Sequence, residues 1–175
     1  ELLPHYNRLQ LKDAALSLTT DEAAALNQAV ERLQSNEPLH YILGKAWFYD
    51  IEVKVNPHVL IPRPETEELV DLIIKDHPNF EGSILDIGSG SGYIPLTLKK
   101  HLPKANVNAV DVDQNALNIA QENSDNLDLK VNFKLVDILN KTQSEQLGKF
   151  DIIVSNPPYI PTMEKAAMRE NVLAF

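Results

Sequence analysis

The sequence contains no cysteine. Disulfides and thiolate metal sites are therefore excluded, and a reducing setting such as the cytoplasm is expected. No apolar run approaches the ~18 residues of a membrane span. There is no basic-then-apolar leader, so neither membrane insertion nor secretion is expected. Histidine is sparse: His5, His40, His58, His77 and His101 are scattered without ligand-like spacing, and no metal is expected. Basic residues are outnumbered, 16 Lys and Arg against 25 Asp and Glu, giving a formal net charge of −9. Proteins that live on phosphate backbones gather positive charge on one face. Here it is dispersed, with only small pairs such as Lys99-Lys100, and direct nucleic-acid binding is not expected. What is present is an ordinary globular balance, 43% hydrophobic and 23% charged over 175 residues, enough for one domain with a small appendage.

The first 37 residues read as helical. Thr19 and Glu22 have capping-box spacing, Leu26, Ala29, Val30 and Leu33 form one apolar stripe, and Ser35-Asn36-Glu37-Pro38 ends the helix. Trp47-Phe48-Tyr49 and Ile51–Val55 then read as two short strands around Asp50, a hairpin that links the helical part to the remainder of the chain. Pro64 opens the next helix with acids in its first turn, and Leu69, Val70, Ile73 and Ile74 are its expected buried face. Within that well-capped start, Arg63 and Thr66 are the residues that invite a functional role.

Three β-branched or apolar runs come next, and each ends in an acid. Ser83–Ile87 carries Asp86 and leads through Gly88-Ser89-Gly90-Ser91-Gly92 into a helix, the arrangement that brings a ligand close to backbone N–H groups. The spacing is Asp-x-Gly-x-Gly-x-Gly rather than Gly-x-Gly-x-x-Gly, so a plain dinucleotide site fits less well. Asn106–Val110 ends in Asp111, 19 residues beyond Gly92, close to the ~20-residue offset at which an acid grips ribose hydroxyls. Asp113 reads as the cap of the helix after it. The run 130–136 ends in Asp137, placed either to meet an adenine amino group or simply to form a turn.

The fourth run, Asp151–Val154, reads as a buried parallel strand and stops at Ser155-Asn156-Pro157-Pro158-Tyr159. Two prolines cannot join a ladder and stiffen the segment after the strand. Asn156 offers an amide oxygen, Pro157 and Pro158 offer carbonyls on a backbone that barely moves, and Tyr159 offers a ring face. Together they suit holding a planar NH2 group still. Four successive strand ends carrying candidate ligand groups point to the carboxyl edge of an open α/β sheet as the site.

Asp86–Gly92 resembles the first motif of the class I S-adenosylmethionine-dependent methyltransferases, and Asn156–Tyr159 the fourth motif of members that methylate amino groups. Glu37–Gly44 and Leu60–Glu67 are similar to the HemK/PrmC family, the glutamine N5-methyltransferases of peptide chain release factors. The resemblance runs from about Glu37 to Phe175. It implies a Rossmann-like α/β sheet preceded by a helical subdomain and a hairpin, divided as residues 1–44, 45–62 and 63–175. It further implies S-adenosylmethionine as cofactor and S-adenosylhomocysteine as product. Gly88 to Gly92 would line the methionine part, Asp111 the ribose, and Asp137 or Ile138 the adenine, with Asp86 also cofactor-binding. Asn156, counted with both cofactor and substrate, would join Pro157, Pro158 and Tyr159 in holding the glutamine of a Gly-Gly-Gln loop. A release factor is then the expected protein partner. The family's sheet continues beyond the position of Phe175, so a fragment with an exposed edge at the 150–154 strand is expected.

Other readings compete. A ribosomal-protein glutamine methyltransferase is close by resemblance. A DNA adenine-N6 methyltransferase would use the same Asn-Pro-Pro-Tyr on a flipped base, against which stand the charge and the lack of an evident target-recognition region. A non-catalytic binding module and an NAD-linked dehydrogenase complete the set, the latter disfavoured by the glycine spacing.

Overall fold

A computed structural model of the chain describes Leu2 and residues 17–157. These fall in two compact units, with the division between Gly44 and Lys45. In the first, α1 (Thr20–Gln34) starts at Thr19, whose hydroxyl accepts the Glu22 N–H while the Glu22 carboxylate accepts the Thr19 N–H. This is the reciprocal box that the sequence predicts. The apolar stripe is less covered than its spacing predicts: Ala29 is buried, but Val30 and Leu33 are exposed. The helix packed beside it, α2 (Leu39–Leu43), has five residues and is too short to shield the whole stripe.

The second unit begins with a hairpin, β1 (Lys45–Phe48) and β2 (Ile51–Lys54), in which Phe48 faces Ile51 across a turn of Tyr49 and Asp50. Ala46, Phe48, Ile51 and Val53 alternate inward, so one side of the ribbon is core. The helix α3 (Pro64–Asp76) has Arg63 as its cap residue and Pro64 in its first turn. It anchors the hairpin turn: the Tyr49 N–H donates to Glu67 Oε1 at 2.9 Å and the Tyr49 hydroxyl to Asp71 at 3.0 Å.

The rest alternates strand and helix: β3 (Ser83–Ile87), α4 (Tyr93–His101), β4 (Asn106–Asp111), α5 (Gln114–Leu127), β5 (Asn132–Leu135), α6 (Lys141–Glu145) and β6 (Ile152–Ser155). The four strands are all parallel, in the order β5-β4-β3-β6, which is the α/β sheet that the sequence predicts. From β3 the chain moves outward to β4 and β5 and returns to β6 on the opposite side. The carboxyl ends beside β3 are therefore a topological switch point, where such sheets open a crevice. One sheet face carries Ile84, Asp86, Val107, Ala109 and Val154 and is buried. The other carries Asn108, Asn132 and Ile153, and Ile153 is 61% exposed. The Asp151–Val154 run is thus parallel as expected but not buried on both faces, because β6 is an edge strand among the described residues.

Candidate active site

Register assembles the site. Asp86 lies between Ala109 and Val154, and Ile87 between Val110 and Ser155. Asp86, Asp111 and Asn156 therefore emerge at the same edge of three adjacent strands. The Ser155 hydroxyl donates to the Ile87 carbonyl at 2.8 Å, fastening the end of β6 to the glycine-rich turn.

The turn is tied inward. The N–H groups of Gly88 and Ser89 both donate to the Val110 carbonyl, Gly92 N–H donates to Ser89 O, and Gly90 N–H donates to Asp111 Oδ2 at 2.9 Å. The sequence suggests N–H groups aimed at a ligand; instead these four hold the loop in shape. Gly88 and Gly90 have positive φ, 78° and 53°, and a Cβ built on either meets nothing within 4 Å. The loop thus presents a side-chain-free wall. Gly92, at φ 81°, is different: a Cβ there would lie 3.1 Å from Ala120 Cβ and 3.2 Å from Leu96 Cδ1, so α4 and α5 require its absence.

Behind the wall are polar atoms without partners among the described residues: both Asp86 oxygens, Ser89 Oγ and Ser91 Oγ. Asp86 is fully buried, and loss of solvent, followed by the nearby Asp111 charge, pushes its carboxyl up to about 8. A buried acid and two hydroxyls beside an open cradle fit a ligand that brings hydrogen-bond donors and positive charge. Asp111 is already committed on one side of each oxygen, Oδ2 to Gly90 N–H and Oδ1 to Asp113 N–H at 3.0 Å. Its remaining lone pairs can take hydroxyl donors.

Asn156 directs its Nδ2 to Thr66 Oγ1 at 3.1 Å and to the Tyr93 hydroxyl at 3.2 Å. Its Oδ1 accepts no hydrogen bond among the described residues. Pro157 comes next and is exposed; Pro158 and Tyr159 lie outside the described residues. Thr66 stands beside Asn156, whereas the exposed Arg63 side chain makes no hydrogen bond or ion pair among the described residues. Asp137 sits one strand further out, lining a cleft of about 430 Å³ with Val112, Val136 and Gln143. Its Oδ1 accepts the Leu139 N–H and its own N–H donates to Gln143 Oε1, so it also closes a turn. Ile138 is partly exposed and does not line that cleft.

Two residues escape sequence reasoning. Tyr93 has no role assigned to it from sequence, although the hydroxyl of a buried ring must find a partner. Asn123, 2% exposed, accepts the Lys54 N–H at 2.7 Å and donates to the carbonyls of Lys54 and Ser91. It locks α5, the hairpin and the glycine turn together. An Asn on the apolar face of α5 is the signal that marks it. Among the described residues no cluster of three or more His, Asp or Glu could hold a metal ion.

Comparison with known proteins agrees with the fold. A family model described as "Methyltransferase small domain" matches residues 65–174. A release factor glutamine methyltransferase from Bacteroides thetaiotaomicron is 49% identical over 148 residues, 85% of this chain and 52% of that protein. One of the same description from Streptococcus pneumoniae is 43% identical over 155 residues, 89% of this chain and 54% of its own length. The chain spans about half the length of these curated relatives. A solved S-adenosylmethionine-dependent methyltransferase from Agrobacterium tumefaciens shares the fold with a TM-score of 0.53 at 19% identity, over 65% of this chain and 39% of that one.

Proposed function

This chain belongs to the methyltransferase small domain family, and on that premise we propose that it is part of an enzyme that methylates the side-chain amide nitrogen of glutamine in a peptide chain release factor. S-adenosylmethionine is the proposed cofactor, supplying a methyl group on a positively charged sulfur, whose C–S bond breaks as the new N–C bond forms. The observation that carries the reading is Asn156. Its Nδ2 is occupied inside the protein and its Oδ1 is not, next to a proline whose backbone has a carbonyl and no N–H.

That arrangement sets the chemistry. An amide nitrogen is a weak nucleophile because its lone pair is delocalised into the carbonyl, so orientation matters more than a base. Asn156 Oδ1 and the Pro157 carbonyl each accept one hydrogen of the substrate NH2. That aims the nitrogen across the cradle and favours positive charge growing on it. Fixed near-attack geometry lowers such a barrier by up to ~7–11 kcal/mol. The proton leaves for solvent after transfer. The unpartnered Asp86 carboxyl, Ser89 and Ser91 suit the ammonium and carboxylate of the cofactor's methionine end. Asp111 suits the ribose, and the cleft beside Val112, Val136 and Asp137 suits the adenine. The N-terminal residues 1–44 are the proposed docking part for the release factor, and the cytoplasm, where that partner works, is the proposed setting.

The test is transfer of labelled methyl from S-adenosylmethionine by the full-length protein to a release factor, to its Gly-Gly-Gln to Gly-Gly-Glu variant, and to adenine-containing DNA. Label on the first alone supports the reading. Label on DNA, or none on the release factor, overturns it.

A further inference from the structure

We infer that Thr66 and Tyr93 are positioning residues that hold the Asn156 amide in place for the substrate amide. The inference rests on the amide-methylating reading above.

The two ends of an asparagine amide are nearly the same size, and a half-turn about its last bond exchanges acceptor for donor. Nothing in Asn156 itself decides which end meets a substrate. Its surroundings fix where the amide stands, and the hydroxyls of Thr66 and Tyr93, which can donate as well as accept, bond it at the Nδ2 end. Both Nδ2 protons are taken, one by Thr66 Oγ1 at 3.1 Å and one by the Tyr93 hydroxyl at 3.2 Å, lengths of ordinary N–H···O bonds. Neither acceptor can move far. Thr66 is 7% exposed in the first turn of α3, and its neighbour Glu67 ties that turn to the hairpin through the Tyr49 N–H. Tyr93 is 4% exposed at the first residue of α4, its ring packed edge-on to Phe48 with centroids 4.7 Å apart. Two helix starts thus grip one amide from two directions.

With Nδ2 held, Oδ1 is the end that faces outward. A glutamine NH2 then meets an acceptor, and so does its second proton at the Pro157 carbonyl. A glutamate carboxylate would meet two acceptors and no donor, with lone pairs opposed. Thr66 and Tyr93 both bond Asn156 itself. Their effect passes through Asn156.

The experiment uses the full-length protein with Thr66→Val, Thr66→Ser and Tyr93→Phe, and the double variant Thr66→Val/Tyr93→Phe. A Gly-Gly-Gln peptide is the substrate. Each loss of one hydrogen bond is expected to lower kcat about tenfold, with the S-adenosylmethionine Kd within about twofold. Thr66→Ser keeps the acceptor and should retain wild-type turnover. The double variant should lose more kcat than either single variant, with the S-adenosylmethionine Kd again within about twofold. Unchanged kcat in both single variants overturns the inference, as does parallel loss of cofactor binding, or failure of serine to substitute.

A wild type that methylates no glutamine peptide would sink the functional reading alone. The lock is then judged by the side-chain 15N–1H pair of Asn156, identified by its absence in Asn156→Ala. Protons shielded from solvent exchange in wild type and unshielded in Thr66→Val or Tyr93→Phe support it. Freely exchanging protons in wild type overturn it.

Discussion

Gly90 donates its backbone N–H to Asp111, 2.9 Å from Oδ2, while the other oxygen of the same carboxylate accepts the Asp113 N–H. The acid that the sequence marks for ribose binding therefore also shapes the glycine turn and begins α5. Asp111→Asn retains one acceptor oxygen where two are used, so one N–H loses its partner. We expect a loss of about 1.5–3 kcal/mol in unfolding free energy, the range for hydrogen bonds to charged groups. S-adenosylmethionine binding should weaken at least about tenfold as the loop loosens. Urea unfolding and calorimetry measure the two, and a variant that loses neither would refute the contact.

Asp86 predicts a pH dependence of stability. Its carboxyl titrates at about 8 in the folded protein against ~3.9 in an unfolded chain. Between these values the folded state keeps a proton that the unfolded state has released, so stability falls as pH rises. The contribution is complete below the unfolded value and gone above the folded one. The slope is at most ~1.4 kcal/mol per pH unit. Asp86→Asn, neutral at every pH, should flatten it. Superimposable profiles of urea midpoint from pH 5 to 8 for wild type and variant would rule this out.

Alanine at two glycines should separate folding from binding. At Gly88 the added Cβ meets nothing, so only the left-handed backbone cost of about 1–2 kcal/mol applies. The methyl group projects into the cradle, and cofactor binding should fall more than stability does. At Gly92 the Cβ also crowds Ala120 and Leu96, adding about 1–3 kcal/mol of overpacking. Thermal melts and calorimetry on both variants check the contrast, and equal melting temperatures would contradict it.

Asn123→Ala removes three hydrogen bonds at a buried position and strands the polar groups of Lys54 and Ser91. A loss of about 2–4 kcal/mol is expected, with protection from amide exchange lost first in β2 and the glycine turn. A change below about 0.5 kcal/mol, the scale of surface substitutions, would deny the residue this role.

Asn156→Ala should abolish methyl transfer while the S-adenosylmethionine Kd stays within about threefold, because the acceptor is removed and the cradle is not. Equal loss of both would place Asn156 in cofactor binding instead.

Much of this was legible from local pattern. The Thr19 box, the Asp113 cap and Pro64 in the first turn of α3 all depend on residues within a few positions of one another, where capping and side-chain period act directly. The order β5-β4-β3-β6 and the consequent meeting of Asp86, Asp111 and Asn156 arise from parallel strands joined by crossovers. Tertiary structure alone decided the rest. Whether Gly88 faces open space and Gly92 faces Ala120 depends on helices distant in sequence. Ile153 is exposed although its neighbours in sequence are β-branched, because exposure is a property of the strand's place in the sheet and not of its composition. Thr66 and Tyr93 lie 90 and 63 residues from Asn156 along the chain, and only packing could bring two hydroxyls onto one amide.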